Sequence, residues 1–381
     1  MGKWPVSSSK LTDRMSGPRS RPLPIVWTSI PTSLSNGPHT LRAVARDTAG
    51  NSATSDEVSV NVDNPTPKNI VVILSDDQRF DDMRYMPFTS TLLNAETVRF
   101  DRGFATTSLC CPSRSSILTG LYAHNHKVLT NVAPTGGATK FNPTSTIATW
   151  LHQAGYRTGL IGKYLNEYFK ISPAIPPGWD DFQVYHSAGP DYFNYAVNEN
   201  GTIVNYGSTT SAYATDVFAE KARQFIWDTP PQQSLFLLFA PFTPHAPATP
   251  YPSDVGFYAG VPKWRPPSYN EQDVTDKPAW VRALPKLTSA KMTSSDALHR
   301  KQLEALLSLD RAVASLISTL QVSGRWSSTL VIFLSDNGLS WGEHRVVDRK
   351  NCPLRGVYQG ALLGQGPGHD GAKRYQPCRQ Y

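Results

Sequence analysis

Asn69-Ile70-Val71-Val72-Ile73-Leu74-Ser75-Asp76-Asp77 is the stretch that decides the fold. Its apolar run does not alternate, so it reads as a strand buried on both faces, the habit of parallel sheets. Ser234 to Ala240 and Thr329 to Ser335 repeat the pattern. Helical spacing lies between them, at Ser145 to Ala154 and most clearly at Asp296 to Val322, where Leu298, Leu303, Leu306, Leu307, Val313, Leu316, Ile317 and Leu320 share one face. Strands alternating with helices predict an α/β fold with a mostly parallel sheet flanked by helices. The first strand runs into Asp76-Asp77 and the last into Asp336-Asn337-Gly338. Ligands gather at the carboxyl ends of such strands. Two carboxylate clusters with an Asn carbonyl suit a shared Ca²⁺ or Mg²⁺ and not zinc. Taken alone, an Asp pair after a strand reads equally as a turn or a helix cap.

Working outward, Asn64-Pro65-Thr66-Pro67 reads as a linker, assigned to 65–68. Before it, His39 to Arg46 and Glu57 to Val62 alternate as strands do, with turn signals at Asn36-Gly37 and Asp47 to Asn51 and a further strand expected at Pro24 to Trp27. Residues 23–64 resemble the second half of a bacterial immunoglobulin-like domain, a partial β-sandwich, since such domains have about seven strands. Residues 1–22 are polar and read as disordered or as a false start. Gly/Pro/Tyr-rich stretches at 172–210 and 241–286 read as long loops.

The chain of 381 residues is long enough for a sizeable core and a second unit. Its 37 Lys and Arg against 30 Asp and Glu give a net charge of +7, scattered rather than blocked. That suits an anionic substrate and gives no reason to expect nucleic acid as a partner. Four cysteines exclude a disulfide scaffold, and adjacent Cys110 and Cys111 are poorly placed to bridge each other. No apolar run approaches the roughly 20 residues of a membrane span. Met1 to Leu11 lacks a signal core.

Cys110-Cys111-Pro112-Ser113-Arg114, followed by Ser115 to Gly120, resembles the signature of the sulfatase family. It sits between the two strand-end clusters in the order that family has. The resemblance runs from about Lys68 to Pro353 and implies an alkaline-phosphatase-like fold for a catalytic domain over 69–353. It implies that Cys110 is oxidised to Cα-formylglycine by a formylglycine-generating enzyme. The hydrated aldehyde attacks the sulfur of a sulfate ester, the alcohol leaves, and the second hydroxyl expels sulfate. It further implies that Asp76, Asp77, Cys110, Asp336 and Asn337 hold the cation, Ca²⁺ or Mg²⁺. Arg114 holds the formylglycine, Lys163 and Lys350 bind sulfate, and His245 binds sulfate and protonates the leaving oxygen.

Gly162-Lys163-Tyr164-Leu165-Asn166-Glu167-Tyr168 resembles N-acetylglucosamine-6-sulfatases and heparan endosulfatases. Many arylsulfatases have a His where Leu165 stands, which favours the glucosamine-type subgroup. The implied substrate is a sulfated carbohydrate of the glycosaminoglycan kind, and the implied parent is secreted or periplasmic. His124 and His126 read mostly as structural, with one of them lining the site as the lesser alternative, and Glu343 and His344 lie near the metal end. Two other readings compete: a phosphate or phosphonate monoester hydrolase of the same superfamily, and a catalytically dead glycan-binding protein.

After Cys352-Pro353 the text departs from the family. Read one base later, permitted codons for Leu354 to Tyr358 give tyrosine-glutamate-glutamate-cysteine, and later segments also turn family-like. Residues 354–381 are therefore expected to be frameshifted. The resulting expectation is a catalytic domain truncated at its C-terminus, with an open sheet edge, poor solubility and little activity.

Overall fold

The computed structural model describes residues 37–350, except 43, 47–49, 63–68, 97, 101–102, 188 and 190, together with strands at 362–365 and 374–375. The chain divides into two compact units, Met1–Pro65 and Thr66–Tyr381. In the first, β1 (Gly37–Leu41) pairs antiparallel with β4 (Val58–Val62), and β2 (Val44–Arg46) with β3 (Ser52–Thr54). The segment expected as one strand from His39 to Arg46 is thus two short ones. Residues 1–22 and the expected strand at Pro24 to Trp27 lie outside the described residues.

The second unit is built on β5 (Asn69–Ser75), β6 (Val98–Phe100), β7 (Arg157–Gly162), β8 (Asp181–Tyr185), β9 (Tyr195–Glu199), β10 (Thr202–Tyr206), β11 (Leu235–Ala240) and β12 (Thr329–Ser335). A small hairpin, β13 (Ser340–Trp341) with β14 (Val347–Arg349), and two last strands, β15 (Leu362–Gln365) and β16 (Arg374–Tyr375), complete the strands. Its helices are α1 (Pro87–Glu96), α2 (Cys110–Thr119), α3 (Ala123–His126), α4 (Ile147–Gln153), α5 (Ala214–Asp228), α6 (Ala279–Arg282) and α7 (Ser289–Val322).

The main sheet has the order β10-β9-β8-β7-β11-β5-β12-β15-β6-β16. Its centre, from β8 through β7, β11 and β5 to β12, is parallel throughout. Alternation along β5 sends Val71 and Ile73 into one core with α5 and α7, and Val72 and Leu74 into the other with Cys111 and Leu118 of α2. Burial on both faces is what made these strands legible as unbroken apolar runs. A mostly parallel sheet flanked by helices is the α/β architecture expected from the sequence.

Three expectations are corrected. The stretch 172–210 is not a loop but carries β8, β9 and β10. Asn200 and Gly201, both at positive φ (51° and 98°), form the two-residue turn between β9 and β10, an Asn-Gly hairpin signal present in the sequence. α7 starts at Ser289 rather than Asp296, because the Thr288 side chain caps it by accepting the Lys291 N–H at 3.2 Å. The expected open edge beside β12 is filled, since β15 pairs with it antiparallel and β6 and β16 follow. The rest of 351–381 lies outside the described residues.

By length and composition α7 could cross a membrane, but 67% of its most apolar stretch is buried in this unit. Its two charges there are used internally. Asp310 accepts the Phe88 and Thr89 N–H groups at the start of α1 (2.9 and 2.7 Å), and Arg311 forms a two-pronged pair with Asp254.

Candidate active site

Four neighbouring parallel strands deliver side chains to one place at their carboxyl ends. Lys163 follows β7, His245 lies five residues past β11, Asp76-Asp77 follow β5, and Asp336-Asn337 follow β12. This is where an open α/β sheet gathers ligands. Backbone bonds lock the strand ends together. The Asp76 N–H donates to the Thr243 carbonyl (3.2 Å) and the Asp336 N–H to the Ser75 carbonyl (3.1 Å). Lys163 can pass β11 because Gly162 precedes it at φ 123°; a Cβ there would run into the Ala240 carbonyl, which instead accepts the Lys163 N–H at 2.6 Å.

α2 brings in Cys110 and Arg114, both buried. It starts at Cys110, its Cys111 N–H donates to the Asn131 side chain at 2.9 Å, and it stops at Gly120 in the left-handed conformation, φ 69°. Arg114 is held at Nε and Nη1, while its buried Nη2 has no hydrogen-bond partner. Its Nε donates to Asp336 Oδ2 and its Nη1 to the Lys163 carbonyl, each at 2.8 Å, and its Nη2 lies 3.5 Å from Asp76 Oδ2. Ser113 Oγ donates to the Asp336 carbonyl at 2.6 Å, tying the helix to β12.

The small hairpin brings in the last group. Lys350 Nζ donates to both carboxylate oxygens of Asp77 (2.8 and 2.9 Å) and lies 2.9 Å from Cys110 Sγ. Lys163 Nζ ion-pairs with Asp76. Cys110 Sγ lies 3.5 Å from Asp76 Oδ1, and His245 Nε2 lies 3.5 Å from Asp77 Oδ2. The His245 ring Nδ1 is 2.6 Å from the Ala246 carbonyl, so Nδ1 carries the proton and Nε2 faces the cluster. Tyr192 Oη holds this turn by donating to the His245 carbonyl at 2.9 Å.

The carboxylates of this cluster are buried, while Lys163, Lys350 and His245 keep partial exposure. Burial opposes ionisation of Asp76, yet Lys163, His245, Arg114 and Lys350 hold its carboxyl well below the usual range. Burial, with Asp76 beside it, raises Asp336 despite Arg114. Burial also works against the Lys350 charge, but Asp77 and its neighbours hold the ammonium well above its ordinary value. Burial and then Asp76 push the Cys110 thiol up to about 12, so it stays protonated at neutral pH.

Ligand atoms of Asp76, Asp77, Cys110 and His245 lie within 4.8 Å of one another, a group that can hold a metal ion. The buried Asn337 Oδ1 has no hydrogen-bond partner, while its amide donates to Asp77 Oδ1 at 2.6 Å. An orphan acceptor beside clustered carboxylates fits a hard divalent cation. His245 joins this group, although the sequence placed it at sulfate. Asp336 borders this group, its Oδ1 accepting the Asp77 N–H at 3.2 Å and its Oδ2 the Arg114 Nε–H at 2.8 Å.

All nine sequence-selected residues meet in this cluster. His124 and His126 do not. His124 stacks on the exposed Tyr122, and His126 accepts the Val128 N–H and meets Ser116 Oγ, both at 3.1 Å. Leu165, Tyr164 and Tyr168 of the Lys163 motif are core. Sequence reading missed Arg79, Asn131 and Tyr192, whose partners are far away in the chain.

The Sulfatase family profile matches residues 68–380. The chain is 32% identical over 317 residues to the extracellular sulfatase SULF-1 homolog of Drosophila melanogaster, covering 80% of this chain and 28% of that protein. It is 30% identical over 313 residues to N-acetylglucosamine-6-sulfatase of Homo sapiens, covering 79% and 56%. The chain thus spans only part of the curated relatives it matches. Among solved structures, one in complex with its substrate D-glucosamine-2-N,6-O-disulfate superposes with a TM-score of 0.66 at 21% identity, covering 79% of this chain and 71% of that one. The phosphonate monoester hydrolase of Agrobacterium radiobacter gives 0.58 at 19%, covering 79% and 68%. At these identities both show the fold alone. The profile match covers most of the chain, and the chain belongs to the sulfatase family.

Proposed function

We propose that this site hydrolyses sulfate esters of sulfated sugars, with a 6-sulfated glucosamine unit as the substrate class. The observation that carries the reading is Cys110 buried at the start of α2, with Lys350, Lys163 and His245 converging on the same carboxylates. A thiol held protonated up to about pH 12 is a poor nucleophile, which favours a matured Cys110. Oxidation by dioxygen, catalysed by a formylglycine-generating enzyme, would replace the Cys110 thiol with an aldehyde and release its sulfur, and the hydrated aldehyde would supply the hydroxyl that attacks the ester sulfur as the alcohol leaves. Asp76, Asp77, Asp336 and Asn337, with the matured residue 110, would hold a divalent cation, Ca²⁺ in this reading, which would supply Lewis-acid polarisation there.

The remaining work belongs to side chains already fixed in place. Lys163 and Lys350 hold sulfate oxygens and offset the charge that grows on them. Arg114, locked by Asp336 and the Lys163 carbonyl, fixes the orientation of residue 110. His245 Nδ1–H donates to the Ala246 carbonyl, so Nε2 bears a proton only in the imidazolium, and that proton goes to the leaving alkoxide. His245→Ala is expected to lower kcat by about 10²–10⁴-fold on a sugar sulfate. The loss is expected to be much smaller on an aryl sulfate, whose phenolate leaves unaided. Equal losses on both would remove the acid role.

Metal removal gives a second check. Chelation is expected to abolish turnover and lower Tm, with Ca²⁺ restoring both. A cation at a hundred times its Kd adds about 2.7 kcal/mol to stability. Unchanged Tm and rate in chelator would contradict the cation site.

The name of the human relative supports the glucosamine class, and that of the Drosophila relative supports an extracellular setting. The direct test compares kcat/KM on 6-sulfated N-acetylglucosamine with that on the matching 6-phosphate. Preference for the phosphate would instead favour the phosphate or phosphonate ester reading. Glycan binding with no turnover of either, on protein with matured Cys110, would favour the dead binding protein.

A further inference from the structure

Arg79 lies two residues beyond Asp77 and is buried, with 4% of its side chain exposed. Its Nη1 meets Glu343 Oε1 at 2.8 Å and the Leu339 carbonyl at 3.0 Å, and its Nη2 donates to Asp81 at 2.9 Å. Its guanidinium lies 4.7 Å from the centre of the Trp264 ring. Burial works against the Arg79 charge, but Glu343, Asp82 and Asp81 more than restore it.

Glu343 sits in the turn of the β13–β14 hairpin and folds back on it. Its Oε2 accepts the Trp341 N–H at 2.8 Å and the Ser340 hydroxyl at 3.2 Å, while its Oε1 also accepts the Trp264 indole N–H at 2.7 Å. The turn is tight. Gly342 has φ 119°, and a Cβ there would run into the Tyr269 ring; His344 and Arg345 follow at φ 52° and 65°. One end of the hairpin is continuous with Asp336-Asn337, and the other with Lys350. Both ends return to Asp77, through the Asn337 amide at 2.6 Å and Lys350 Nζ at 2.8 Å. The chain therefore closes a ring of contacts: Asp77, Arg79, Glu343, the hairpin, Lys350 and Asp77 again.

We propose that the Arg79–Glu343 pair is a positioning device that sets the hairpin so that its ends deliver Asn337 and Lys350 to Asp77. Neither residue touches the reacting groups. The hairpin is anchored on one side by Arg345, which donates to the Glu271, Gln272 and Leu284 carbonyls, and by the His344 N–H on the Ser268 carbonyl. The buried ion pair and the indole bond fix it from the side of the strand end that carries the carboxylates. Outer partners of this kind set the affinity of the groups they orient. The inference rests on reading Asp77 and Asn337 as cation ligands, and the test separates the two.

The experiment is a calorimetric Ca²⁺ titration of the metal-stripped full chain, with Tm measured in chelator. Glu343→Gln keeps the shape of the side chain and removes its charge. It is expected to weaken Ca²⁺ by about tenfold or more. Arg325→Met is the stability control. Arg325 ties the opposite end of the sheet, donating to the Thr229, Pro230 and Gln233 carbonyls and to Asn69. That variant is expected to lose Tm and keep its Ca²⁺ affinity. Arg79→Lys, which loses the paired geometry and keeps the charge, carries the same expectation as Glu343→Gln and replaces it if that variant does not fold.

Unchanged affinity in Glu343→Gln or its replacement, alongside lost binding in Asp77→Asn, overturns the positioning role and leaves the cation site standing. Full-strength binding in Asp77→Asn overturns the cation reading and the inference with it. Equal affinity losses in Arg325→Met and Glu343→Gln would reduce the pair to general stability and overturn the inference as well.

Discussion

Cys110→Ala is expected to remove sulfate ester turnover almost entirely, by roughly 10⁵–10⁶-fold, the scale seen when a covalent nucleophile is deleted. Little else changes, because the partners of the thiol, Lys350 and Asp76, keep other contacts. Among its close contacts, Lys350 keeps both oxygens of Asp77 and Asp76 keeps Lys163. Truncating a buried thiol to a methyl group in this polar pocket is expected to cost about 1 kcal/mol or less. The pairing of a large kinetic loss with near-native Tm is checked by steady-state kinetics and thermal unfolding on one preparation. Cys110→Ser is expected to be equally inactive, since a serine hydroxyl offers no second hydroxyl to expel sulfate. Retained turnover in either variant would place the nucleophile elsewhere.

Arg114→Met should do the reverse damage first. The guanidinium is buried, joins Asp336 at 2.8 Å and Asp76 at 3.5 Å, and ties α2 to β7 through the Lys163 carbonyl. Without it two buried carboxylates at the ends of β5 and β12 face each other with one fewer positive charge. Removing one partner of a buried pair costs about 3–5 kcal/mol. The Arg114 charge is firmly held, since Asp336 and Asp76 more than offset its burial. Denaturant unfolding should therefore show a lowered midpoint, and Arg114→Lys should recover only part of it. Lysine keeps the charge but cannot reach Asp336 and the Lys163 carbonyl together. A midpoint within experimental error of the parent protein would show that Asp336 is neutral in the folded state and needs no partner.

The parts legible from sequence are those whose signal is local. The runs at Asn69 to Ser75 and Thr329 to Ser335 became β5 and β12 residue for residue: β5 is buried on both faces, and β12, half-buried on one face, still carries apolar side chains there at Leu330, Ile332 and Leu334. The cluster was legible because its members stand directly at strand ends or within one five-residue signature. The hairpin of β9 and β10 was missed although Asn200-Gly201 announces it, because Tyr, Asn and Gly around it dilute the apolar pattern. Arg79 was missed for another reason. Its partner Glu343 lies far along the chain, and nothing local marks either charge as buried. The β15 strand beside β12 was likewise beyond sequence reading, since Leu362 to Gln365 acquires meaning only through its pairing with Val331 to Leu334.

The central claim is that Cys110, once converted, is the reacting residue of a sulfate ester site. The most direct measurement follows one sample twice. Protein is produced with graded amounts of a formylglycine-generating enzyme, the fraction of the Cys110 peptide carrying an aldehyde is read by mass spectrometry, and sulfate ester turnover is measured on the same fractions. The account predicts turnover rising in proportion to the converted fraction and vanishing at zero conversion. Turnover that is independent of conversion, or conversion that yields none in the presence of Ca²⁺, would contradict it.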